Sequence, residues 1–191
     1  MEIWLAAQTS DAASCAFNES VSLRLQGDLD LAALEAAMND VVARHDAMRL
    51  RFTLTGDRMH AAPPTLMPLT QRQLPDEAAL AEFIVRDAET PFDLVLGLVM
   101  RPTLLRLSEQ SHVLVFTAHH IVCDGWSMNI VIEELSSCYA ARIAGKSATL
   151  TEPLSFVAYA AERRGPVDRR ARPALLDRAV QRRASYPAIA A

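Results

Sequence analysis

Apolar and polar positions along the chain follow two different periods. Val21-Ser22-Leu23-Arg24-Leu25 alternates residue by residue, the pattern of a half-buried strand, and Gly27 ends it. From Asp30 onward the spacing changes to three and four. Leu31, Leu34, Met38, Val41 and Val42 then form one stripe, predicting a helix that Asp30 caps and that ends near His45. Residues 48–54 read as a strand turning at Gly56-Asp57, and Pro63, Pro64 and Pro68 mark an irregular passage to a short edge strand over 69–74. Asp76-Glu77 open a second amphipathic helix carrying Leu80, Phe83, Ile84 and Ala88. A loop through Pro91 and Gly97 leads to a strand over 103–107, and residues 108–111 turn it back into 112–118 as an antiparallel hairpin. Residues 127–144 are helical, with Ile130, Ile132, Leu135, Tyr139 and Ile143 as candidate core positions; 155–164 predicts a further helix and 174–183 a weaker one. This order of strands and helices predicts an α+β two-layer sandwich, a mostly antiparallel sheet with helices on one face.

Composition narrows the class. At 191 residues, 51% hydrophobic and 22% charged, the chain can bury one sizeable core, as a domain or as one lobe of a larger one. No apolar run reaches membrane-spanning length, and Met1-Glu2-Ile3-Trp4 lacks the basic start of a signal peptide, so a cytoplasmic protein is expected. Cys15, Cys123 and Cys138 are odd in number and far apart, which argues for free thiols over a disulfide framework. The net charge of −4 hides an asymmetry: 8 arginines stand against 3 acids in residues 162–191. With Tyr186 as its single aromatic, this Arg-rich tail is expected to be a solvated or poorly ordered end rather than a nucleic-acid site.

The chemistry concentrates in Ala118-His119-His120-Ile121-Val122-Cys123-Asp124-Gly125-Trp126-Ser127. A histidine pair falls where a buried strand ends, and Gly125 lets the chain turn beside Asp124 toward a helix. The plain reading is a strand-to-helix turn that happens to hold two histidines. A metal site of His119, His120, Cys123 and Asp124 would crowd four ligands into six residues, a spacing that rarely closes a tetrahedron, so no metal is expected. A Cys123–His120 nucleophile pair lacks a third orienting group. Six glycines offer no phosphate-cradling loop.

A second segment decides among these. Arg44-His45-Asp46-Ala47-Met48-Arg49-Leu50-Arg51-Phe52, taken with the histidine motif, resembles the condensation domains of nonribosomal peptide synthetases, within the chloramphenicol acetyltransferase-like superfamily. That family carries HHxxxDG and, upstream, RHExLRTxF; here Asp46, Met48 and Leu50 replace its Glu, Leu and Thr. Glu2-Ile3-Trp4-Leu5-Ala6-Ala7-Gln8 is similar to the family's opening, and Pro91-Phe92-Asp93-Leu94 to its mid-lobe loop. The resemblance implies amide formation between a carrier-bound acyl or peptidyl thioester and a carrier-bound amino acid. It implies His120 as the catalytic histidine, with His119 supporting through a ring N–H that fixes the turn. Asp124 would be the structural aspartate paired with an arginine, Gly125 the residue that keeps the channel open, and Arg44, His45 and Arg49 structural. No cofactor is bound directly on this reading; substrates ride on the phosphopantetheine of acyl or peptidyl carrier protein domains, which become the expected partners, with neither nucleic acid nor membrane.

The chain departs from the family after the second motif. The expected YxDYAxWQ segment is represented by Phe156-Val157-Ala158-Tyr159-Ala160-Ala161-Glu162, with Ala158 in place of Asp and Glu162 in place of Trp. Residues 1–161 therefore read as the N-terminal lobe, and 162–191 as a tail that is truncated or poorly ordered. Three readings follow: a lobe active when a second lobe is supplied, an acyltransferase completed by oligomerisation, and an inactive carrier-docking module.

Overall fold

The computed structural model describes residues 2–97 and 99–162. The described residues up to Val157 form one compact unit, and a second unit begins at Ala158. Short helices α1 (Glu2–Ala7) and α2 (Asp11–Cys15) precede β1 (Asn18–Gln26) and α3 (Leu31–Arg44). A 3-10 turn over Asp46–Arg49 leads to β2 (Leu50–Phe52), β3 (Met59–Ala61) and β4 (Thr70–Gln73). Then come α4 (Glu77–Ala88), β5 (Met100–Ser108), β6 (Ser111–His119), α5 (Gly125–Ile143) and α6 (Phe156–Glu162). The Arg-rich tail from residue 163 and the weaker helix expected over 174–183 lie outside the described residues.

The main sheet has the order β1-β6-β5-β4. Strand β6 pairs antiparallel with both β1 and β5, and β4 joins the far edge parallel to β5. Centrality explains the β6 sequence: eight of its nine positions are buried, so His112-Val113-Leu114-Val115-Phe116-Thr117-Ala118 runs almost without a solvent face. Strand β1, at an edge, keeps the alternation its sequence announced.

The sheet is covered on both faces, where helices on one face were expected. On one side Leu104, Leu114, Phe116 and Ala118 meet α3 and α5. On the other, Leu105, Val113 and Val115 meet Leu80 and Phe83 of α4. A strand buried on both faces demands a second layer, and α4 supplies it. The α4 face also holds a buried carboxylate that no hydrophobic pattern announces: Asp87 receives Arg101 Nε at 2.7 Å and the Thr117 hydroxyl at 2.5 Å.

Helix α3 begins as its sequence predicts, with the Asp30 carboxylate accepting from Ala33 N–H at 2.9 Å. Its buried stripe is Ala33, Leu34, Ala37, Met38, Val41 and Val42. The stripe it meets on α5 is Met128, Val131, Leu135 and Cys138. Of the positions expected to be core, Leu135 holds and Tyr139 packs at the margin, but Ile130 is 40% and Ile143 55% exposed. The apolar residues of this helix fall on more than one face, so the spacing alone could not choose among them; the small and flexible Ala37, Met38 and Met128 line the contact.

The strand expected over 48–54 shrinks to β2, because the preceding residues wind into the 3-10 turn. The turn at Gly56 forms as expected. Gly56 has φ +66°, and any Cβ there would run into the Trp4 ring, so α1 is seated by that glycine.

Candidate active site

The β1–β6 register builds the site. Asn18 lies opposite His119 and Glu19 opposite Ala118, so the start of β1 borders the exit of β6. His119 N–H donates to Val99 O at 2.9 Å and His120 N–H to Phe17 O at 2.7 Å, fixing both backbones as the strand ends. The two histidines then part, because successive residues of a strand point to opposite faces.

His119 is fully buried. Its ring lies 5.9 Å from Phe17 and 6.4 Å, edge-on, from Phe92. The Nδ1 lone pair accepts from Ile121 N–H at 3.2 Å. The ring does brace the turn, but as an acceptor there rather than through a donated N–H. Burial, with the neighbouring His120 adding to it, pushes its pKa down to about 4, so it stays neutral.

His120 is the exposed partner, its side chain 38% accessible. Nδ1 lies 2.9 Å from Cys123 O, a carbonyl that can only accept, so Nδ1 carries the hydrogen. In the neutral ring the lone pair is then on Nε2, for which no hydrogen-bond partner is present among the described residues. The Glu19 carboxylate lies 2.8 Å from the same Nδ1. No sequence pattern singled out Glu19; only the strand register could have done so.

Asp124 is the N-cap of α5. Its carboxylate accepts from Ser127 N–H at 2.8 Å and from the Ser127 hydroxyl at 2.6 Å, which hold it below the usual carboxylate range. Among the described residues it has no ion pair with an arginine, unlike the pairing that the resemblance implied. Gly125 follows at the first helical position, and a Cβ there would meet nothing within 4 Å. The glycine therefore borders open space. Cys123 is buried and its thiol is pushed up to about 12 by burial, with Glu19 and Asp124 adding to it, which disfavours a nucleophilic thiolate.

The upstream segment does not reach His120. Arg44 Nε donates to Glu134 Oε2 at 3.0 Å, Arg44 Nη2 to Thr151 O at 2.7 Å, and His45 Nε2 lies 2.9 Å from Glu134 Oε2. Glu134 sits about 14 Å along α5 from Gly125. Arg49 clasps the end of α3 through Val42 O at 3.1 Å and also binds Ala62 O. Asp46, standing where the family has Glu, receives Ser155 Oγ at 2.6 Å and Phe156 N–H at 2.8 Å. The motif is a clamp holding α3, α5 and the approach to α6 in register.

A family model for the Condensation domain matches residues 2–170. The chain belongs to that family. Among its relatives, chondramide synthase cmdD of Chondromyces crocatus is 38% identical over 159 residues, covering 79% of this chain and 4% of that protein. The isonitrile lipopeptide synthase of Mycobacterium tuberculosis is 36% identical over 154 residues, covering 75% of this chain and 6% of that protein. The chain thus spans a small fraction of the synthases it matches. The crystal structure of the X-domain from teicoplanin biosynthesis matches over 98% of this chain and 38% of its own, at 31% identity and TM-score 0.76. VibH, an NRPS condensation enzyme, matches over 98% of this chain and 44% of its own at 23% identity and TM-score 0.73, a likeness of fold. The condensation-domain fold, chloramphenicol acetyltransferase-like and mixed α+β, is the one expected from the sequence. No helix among the described residues is long and apolar enough to cross a membrane.

Proposed function

We propose that the chain is the histidine-bearing N-terminal lobe, residues 1–161, of an amide-forming condensation site. The donor is an acyl or peptidyl thioester and the acceptor an amino acid, each on the phosphopantetheine arm of a carrier domain in the cytoplasm. The acceptor nitrogen attacks the thioester carbonyl. The C–N bond forms as the C–S bond breaks, the nitrogen's proton passes to His120 Nε2, and the ring returns it to the departing thiolate. A neutral imidazole within reach of the amine can take its proton as the C–N bond forms. A thioester is already activated, so orientation of the two arms carries much of the rate.

The observation that supports this reading is the engaged Nδ1 of His120, which leaves the Nε2 lone pair of this partly exposed side chain without a partner among the described residues. The open space before Gly125 suits a pantetheine arm. His119 and Asp124 hold the loop in shape, and Arg44, His45 and Arg49 hold the helices behind it. Trp126 and Ile130, 46% and 40% exposed, flank the loop as apolar surface that a second lobe or a second copy would cover.

The test is amide formation between donor- and acceptor-loaded carrier proteins, read by mass spectrometry, with the chain alone and with a second-lobe polypeptide in trans. Product is expected when the second lobe is supplied, falling about a hundredfold or more in His120→Ala. An undiminished rate in His120→Ala refutes the reading. Product from the chain alone, as a stable oligomer, would favour completion between copies. Carrier binding without product in any combination would make it a docking module.

A further inference from the structure

We propose that Glu19 is a positioning residue for His120, its carboxylate acting on Nδ1 as the third member of a Glu19–His120–amine relay; this rests on the reading above. The Glu19 oxygen lies 2.8 Å from His120 Nδ1, and Cys123 O lies 2.9 Å from the same atom. The N–H is directed at the carbonyl, and the carboxylate stands beside the same nitrogen as a charge. The carbonyl fixes the tautomer. The carboxylate adds what the carbonyl lacks, a full negative charge beside the ring that gains a positive one when it takes the amine's proton.

The placement is built rather than incidental. Asn18 Nδ2 donates to Ala88 O at 2.7 Å and Thr90 O at 3.0 Å, tying the start of β1 to the end of α4. Phe17 O accepts from His120 N–H, so the two backbones are joined at His120 itself, two residues before Glu19. Glu19 shares strand parity with Val21 and Leu23, which face the α3–α5 layer, and so leans toward the start of α5. The other titratable groups in the loop are His119, held neutral, Cys123, held as a thiol, and Asp124, committed to Ser127. Asp124 also feels the charge of His120, but Glu19 is the carboxylate in contact with its Nδ1.

Two readouts test this. The first needs no catalysis: the His120 Nδ1–H resonance in proton and nitrogen NMR of the 191-residue chain. Cys123 O keeps this N–H bonded in every variant, but its resonance should lie furthest downfield in the natural chain and move upfield in Glu19→Gln and Glu19→Ala, which lack the carboxylate charge. The second is the amide-forming assay. Glu19→Gln should lower kcat about ten- to hundredfold with KM within about twofold, since the lost charge matters when the ring is protonated. In a His120→Ala background Glu19→Gln should cost nothing further. An unchanged resonance in Glu19→Ala, or kcat equal to the natural chain's in Glu19→Gln while His120→Ala is inactive, overturns the role of Glu19 and leaves the reading of His120 standing. Activity that survives His120→Ala instead overturns the reading itself.

Discussion

Glu134 of α5 accepts from Arg44 at the end of α3 at 3.0 Å, with the Glu134 side chain 15% and the Arg44 side chain 25% exposed. This contact ties the two helices behind the histidine loop. Burial alone would raise the Glu134 carboxyl, but the hydrogen bonds and charges of His45 and Arg44 outweigh it and leave it below the usual range. A depressed folded-state value adds stability above the unfolded pKa, and that contribution drains away as pH falls through the folded value. Glu134→Ala should cost about 2 kcal/mol at neutral pH and flatten the acid limb of stability below the ordinary glutamate range. Urea denaturation at several pH values measures both; an unchanged midpoint at neutral pH would contradict the clamp.

His119 gives a pH dependence of its own, in a higher window. Its folded-state pKa of about 4 lies below the unfolded value of about 6.5, so between those limits the unfolded chain binds a proton the folded chain refuses. Stability therefore falls as pH drops from about 6.5 toward about 4, by up to about 3 kcal/mol. His119→Gln should remove this part of the pH dependence. Thermal melts across that window check it, and an identical slope in the variant would show that the buried charge penalty lies elsewhere.

Cys123 should be inert. A buried thiol pushed up to about 12 presents almost no thiolate at neutral pH, so alkylation by iodoacetamide should require unfolding. Cys123→Ala should keep most of the amide-forming rate. Rapid labelling of the native chain at Cys123, or loss of the reaction in the variant, would revive a cysteine nucleophile.

Gly125 separates folding from catalysis. With open space around its would-be Cβ and no left-handed φ, Gly125→Ala should be neutral or stabilise by up to about 1 kcal/mol. Gly125→Leu should fold as well yet raise KM for carrier-bound substrate by about tenfold or more, if the arm passes there. Equal kinetics in both variants would move the channel elsewhere.

Much of this architecture could be read from spacing. The helix over Leu31–Arg44, the hairpin of β5 and β6 and the strand exit at His119 all follow from period and turn chemistry. Asp30, Asp76 and Asp124 each cap the helix they precede, a local signal that survives folding. What the sequence hid is long-range. Glu19 reaches His120 from a distant part of the chain, and Glu134 reaches Arg44 across 90 residues. Nothing local distinguishes either glutamate from a solvated charge. Asp87, inside α4, looks like a surface acid until Arg101 and Thr117 arrive from the sheet. The α5 face shows a related effect: its apolar residues are spread over several faces, and the helix it packs against selects one.

The unbroken β1–β6 pairing has a consequence for how this sequence can change. Nine consecutive residues of β1 are matched one to one with β6, from Asn18 opposite His119 to Gln26 opposite Ser111. Substitutions on the outward positions leave that count alone, but a single-residue insertion or deletion between Phe17 and Val21 does not. It would either place Asn18 or Ser20 beside His120 or, if that end holds its register, turn the remaining apolar side chains of β1 from the core toward the opposite face. Exposed loops without such pairing can vary in length by small adjustments. The start of this strand cannot, and the spacing between Phe17 and Val21 is in effect a ruler for the histidine.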